Sequence, residues 1–80
     1  MHYTEKQIFD TGVRLMGTES EPHTTLEFLA CIAVLLTGRG HDGPRLVAEH
    51  QGAFLIALHA GYAVGEIADA TDAALELVNS

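Results

Sequence analysis

Apolar and polar positions alternate along this chain with the period of helices. Between Thr4 and Met16, at ~100° per residue, Ile8, Phe9, Gly12, Val13, Leu15 and Met16 gather on one side. Lys6, Gln7, Asp10, Thr11 and Arg14 take the other side, so this segment is expected to be an amphipathic helix. Thr4 and Gln7 have the spacing of a capping box, and Tyr3 and Ile8 that of a hydrophobic staple.

A second segment, 24–37, opens on the same capping pattern in Thr24-Thr25-Leu26-Glu27. From Leu26 to Leu36 its only polar side chains are Glu27 and the thiol of Cys31. A helix apolar all round is one surrounded by protein, so 24–37 is expected at the centre of the fold. A third helix is expected from Pro44 to Ala60, with Asp42 or Gly43 as cap and Leu46, Val47, Phe54, Ala57 and Leu58 as its apolar face. A fourth is expected from Val64 to Val78, burying Val64, Ile67, Ala68, Thr71, Ala74, Leu75 and Val78.

Gly17, Gly38 and Gly61 each follow a periodic stretch, where a residue of positive φ ends a helix. Short Gly-containing connections suit antiparallel neighbours, so the chain reads as one small all-α domain, 1–80, of about four helices. Phe54 to Val64 also fits a strand by periodicity, but a lone strand has no partner here. Eleven Ala and ten Leu against five Val and four Ile favour helix as well.

Composition narrows the classes. Four Lys/Arg against eleven Asp/Glu leave −7, with 48% hydrophobic and 19% charged residues. This is not the composition of a disordered acidic tail. The balance also argues against direct binding to nucleic acid or to an anionic membrane, both of which need basic patches. The longest apolar run, Phe28 to Leu36, is about half of a bilayer span, and the first residues lack a secretory pattern. A cytoplasmic location is therefore expected.

Candidate chemistry is sparse. Cys31 lies in the most apolar segment, where burial blocks a nucleophile, and no Gly-x-Ser-x-Gly elbow occurs. His50 and His59 fall on opposite sides of one helix, and no HExxH or HxxxH pair exists, so neither metal nor cofactor is expected. Gly38-Arg39-Gly40-His41-Asp42-Gly43-Pro44 is Gly-rich but lacks the Walker Lys-Thr pair. Its Arg39 and His41, with Arg45, form a candidate anion site at a helix N-terminus. Tyr62 to Ala70 loosely follows the first helix of a helix-turn-helix, yet only ten residues come after it, and they carry net negative charge, so no basic recognition helix follows.

The most informative feature is a carboxylate ladder. Glu66, Asp69, Asp72 and Glu76 are spaced 3, 3 and 4 residues, and no Lys or Arg follows Leu46. Together with Glu49 they look uncompensated, and like charges at such spacing weaken a helix slightly. The ladder suits a basic protein partner through electrostatic complementarity. These observations lead to the expectation of a non-enzymatic acidic module that occupies the basic nucleic-acid-binding surface of a bacterial complex. By analogy of size and charge alone, phage or mobile-element inhibitors of the anti-CRISPR type work as such DNA mimics. The alternative is a structural dimer or adaptor with Phe9, Met16, His50 and Phe54 along its seam.

Overall fold

The computed structural model describes residues 2–61 and 66–79. They form five helices and no strand: α1 Glu5–Thr18, α2 Thr25–Gly38, α3 Gly43–Glu49, α4 Gln51–His59 and α5 Ile67–Asn79. Both capping boxes form. Thr4 Oγ1 accepts from Gln7 N–H at 3.1 Å and Thr24 Oγ1 from Glu27 N–H at 3.2 Å, while the Gln7 and Glu27 side chains return to the cap backbone. Each box satisfies N–H groups that have no partner within the helix itself.

The helix ends differ from expectation in two places. Gly17 lies inside α1, and the left-handed residue that stops this helix is Glu19, at φ 53°. Gly38 is the last residue of α2, and the positive-φ position falls on Gly40 at φ 91°. Gly40 N–H bonds to Thr37 O at 3.1 Å and His41 N–H to Leu36 O at 3.0 Å, the double closure of a Schellman motif. Gly61, with φ 97°, takes the positive φ expected of it.

The single helix expected over 44–60 is two helices, because the chain turns at His50, whose φ of −124° and ψ of 34° interrupt the helical path. Gln51 is what the turn positions. Its buried carboxamide accepts from Tyr3 N–H at 2.9 Å, donates to Tyr3 O and donates to Ala48 O at 3.2 Å. This ties the segment before α1 to the α3–α4 junction and leaves no buried polar side-chain atom unpaired among the described residues. Residues 54–59 are helical in α4, so the strand alternative fails there; 62–65 lie outside the described residues.

Ile8, Leu29, Ile32, Leu36, Val47 and Phe54 are fully buried and make the core with Ala33, Ala57, Ala70 and Ala74. α2 packs against α1, α3 and α5, and α4 packs against α5. On α2, Phe28, Cys31, Val34 and Leu35 are only half-buried. On α5, Thr71 is buried with its hydroxyl on Ile67 O at 2.8 Å, whereas Ala68 is exposed rather than buried. The expected start of that helix, Val64, is outside the described residues.

Two glycines set how closely the helices approach. A Cβ on Gly12 would stand 3.1 Å from Val34 Cγ2, where α1 crosses α2. A Cβ on Gly43 would overlap Ala33 O and come within 2.6 Å of Thr37 Oγ1, so the start of α3 rests directly on the backbone of α2. No described helix is long and apolar enough to cross a membrane.

Candidate functional site

The acidic face of α5 is on the surface. Glu66, Asp69, Asp72 and Glu76 are all exposed, and within α5 Asp69, Asp72 and Glu76 set one charge per ~5 Å of axis. The face is not wholly uncompensated, contrary to the expectation from sequence. Arg39, at the end of α2, donates from Nη1 to Asp72 Oδ1 at 2.7 Å, and Arg45 donates from Nε to Glu49 Oε1 at 3.0 Å. Folding brings the ladder next to an arginine 33 positions away, and no spacing rule could reveal that.

These same bonds alter the candidate anion site. Both its arginines are paired with carboxylates, and His41 is exposed beside them with its backbone turned into the Schellman closure. Arg45 is held more firmly protonated than usual by its hydrogen bond to Glu49 and by the charges of Glu49, Asp42 and Glu5. One cation among three carboxylates is a net negative neighbourhood, which repels an anion.

The remaining two cations are also paired, Lys6 with Asp10 at 2.8 Å and Arg14 with Glu27 at 2.9 Å. All four Lys/Arg of the chain are therefore engaged with carboxylates. Glu27 is the most perturbed of the acids. The Arg14 guanidinium, with the N–H groups of His23 and Thr24, lowers its pKa to about 2.

The seam expected along Phe9, Met16, His50 and Phe54 does not exist as one surface. Phe54 is fully buried between helices, and His50 is half-buried at the α3–α4 turn. Phe9 and Met16 stand out from α1 instead, 56% and 64% exposed, with Val13 between them at 55%. Only Ile8, Gly12 and Leu15 of the apolar side of α1 are buried, because α2 covers just one edge of that side.

The uncovered edge borders a groove of about 650 Å³. Phe9, Val13 and Met16 form one wall, Ala30, Val34 and Gly38 of α2 the other, and Pro44 lies at the α3 end. Glu5 and Asp42 stand at that same end, together with Lys6 and His41. The sequence reading missed Val13, Val34, Glu5 and Asp42 as members of a site. The available signal was the width of the apolar side of α1, six residues in a helix that can bury only part of them.

Cys31 is a free, half-buried thiol whose pKa is raised by burial and by the charge of Glu27, which disfavours the nucleophilic thiolate. Among the described residues no three His, Cys, Asp or Glu side chains converge as a metal cluster would. Compared with models of known protein families, with curated proteins and with solved structures, the chain matches none.

Proposed function

We propose that this chain is a non-enzymatic protein-binding module that uses the acidic face of α5 against the basic nucleic-acid-binding surface of a bacterial complex. The observation carrying the reading is the engagement of every Lys and Arg in an internal ion pair while α5 presents Asp69, Asp72 and Glu76 outward, with Glu66 exposed just before it. With no cation left over, the −7 of the chain is an outward-facing excess, and basic grooves are its complement. Asp69 and Glu76 lie seven residues, about 10 Å, apart on either side of the Arg39-paired Asp72, so the stripe offers a phosphate-binding track a few separated contacts. Inhibition by occupying such a track, as phage or mobile-element inhibitors of the anti-CRISPR type do, is the mechanism this implies.

The test is capture from bacterial lysate at low and high salt, with the native chain and with Asp69→Lys/Glu76→Lys as baits. Asp72 is left intact so that its bond to Arg39 does not confound the result. The native bait should recover a nucleic-acid-binding complex at low salt and displace its nucleic acid, and the variant should do neither. Equal recovery by both baits, or by neither, would reduce the stripe to a solvated surface.

A further inference from the structure

The α1–α2 groove is a second feature that the acidic face does not use. Its apolar wall projects Phe9, Val13 and Met16 at i, i+4 and i+7, the spacing with which one helix meets another. α4 and α5 pack elsewhere, so no described element covers it. Contiguous exposed apolar side chains along a concave surface mark a binding site in a folded protein.

The charge at its end selects the occupant. Glu5 and Asp42 lie at the α3 end of the groove, and Arg45, on which both their charges act, is committed to Glu49. Lys6 is neutralised by Asp10. An incoming cation at that end meets two carboxylates. A second copy of this chain would instead bring another −7 and another acidic rim, which like-charge repulsion opposes.

We propose that the groove docks an amphipathic helix of a partner protein, with large apolar side chains seated along Phe9, Val13 and Met16 and a Lys or Arg reaching Glu5 and Asp42. The proposal rests on the reading of the chain as a protein-binding module but assigns a different face. α1 is about 21 Å long, so a helix of about 16 residues runs its full length.

A displayed library of random helix-forming peptides of about that length, panned against the native chain with Val13→Glu as counter-selection, tests it. The enriched peptides should carry apolar residues at i, i+3 or i+4, and i+7, with Lys or Arg at one end. Val13→Glu should weaken them at least about tenfold, although its added negative charge would strengthen a merely electrostatic attraction. Glu5→Lys/Asp42→Lys should weaken them and flatten their salt dependence; Asp42 makes no side-chain capping bond that this change would break. Asp69→Lys/Glu76→Lys should leave them bound, which separates this site from the α5 face. Circular dichroism of Val13→Glu confirms that it still folds. Enrichment of acidic or unpatterned peptides, or of none that distinguish Val13→Glu, would overturn the proposal. So would a native dimer that Val13→Glu dissociates in sedimentation, because a second copy would then be the occupant.

Discussion

The guanidinium of Arg39 meets the carboxylate of Asp72 at 2.7 Å, joining the end of α2 to the middle of α5. Arg39 also follows the last carbonyls of α2, where a positive charge complements the helix dipole. Both side chains remain in contact with water, 36% and 61% exposed, so solvent screens much of the attraction. A double-mutant cycle of Arg39→Ala and Asp72→Ala should therefore give a coupling below about 1 kcal/mol that fades with added salt. Urea titrations of the four proteins at low and high salt measure it.

Gly43 and Gly17 should respond to the same substitution with opposite signs. Gly43→Ala drives a methyl group into Ala33 O and Thr37 Oγ1, and a backbone carbonyl cannot rotate away. The expected loss is about 1–3 kcal/mol, the usual cost of overpacking. A Cβ on Gly17 meets nothing within 4 Å, and the residue is helical and exposed. Gly17→Ala should stabilise by about 0.5–1 kcal/mol through helix propensity. At about 4–8 °C per kcal/mol for a domain of this size, thermal melts resolve both changes.

How far the fold was legible follows from which interactions are local. Thr4 and Gln7, and Thr24 and Glu27, sit three residues apart, so their capping boxes could be read from spacing and both form. The turn at His50 could not, because Gln51 finds its partner in the backbone of Tyr3, 48 positions away. The candidate sites divide in the same way. Exposure of Asp69, Asp72 and Glu76 follows from helical period, whereas the pairing of Arg39 with Asp72 and the burial of Phe54 depend on tertiary packing. Phe9 and Phe54 both lie on apolar faces in the sequence, and only tertiary packing decides that one is exposed on α1 and the other sealed where α4 meets its neighbours.

Glu19 occupies a conformation that suits glycine. At φ 53° an L-residue is disfavoured by about 1–2 kcal/mol, and its carboxylate also lies at the negative end of the α1 dipole. Glycine removes both penalties but adds backbone freedom to the unfolded chain. The net expectation for Glu19→Gly is a gain of about 0.5–1 kcal/mol. Glu19→Ala, which removes only the charge, should gain less. Chemical denaturation of the three proteins at one pH ranks them.

Glu27 makes stability depend on acid. Its pKa is lowered from the ordinary 4.5 to about 2 by the Arg14 guanidinium and the N–H groups of His23 and Thr24. The folded state thus prefers the ionised carboxylate more than the unfolded state does, and the unfolded chain binds the proton first as pH falls. This contribution is complete above pH 4.5 and is lost progressively as pH falls toward 2. Glu27→Gln should be less stable than the native chain at neutral pH, and the gap should close across that acid window. Urea midpoints of the two proteins from pH 7 to pH 2 provide the comparison, and a gap independent of pH would show that the Arg14 bond does not favour the ionised form.

Phe54 and Phe9 offer the sharpest contrast between core and surface. Phe54 is wholly buried, so Phe54→Ala forfeits its transfer energy and leaves a cavity, together about 3–5 kcal/mol. Native stability of about 0.05–0.15 kcal/mol per residue gives an 80-residue chain about 4–12 kcal/mol in total, so the loss should bring it close to unfolding at room temperature. Phe9 is 56% exposed and lines the open groove, so Phe9→Ala should change stability much less, by about 0.5 kcal/mol or less. Its effect belongs to binding instead, where peptides selected on the native groove should dissociate faster from the variant. Far-ultraviolet circular dichroism melts of both variants decide the first part. A large destabilisation by Phe9→Ala would mean that its ring is packed within the fold, and the groove would lose the wall on which helix docking depends.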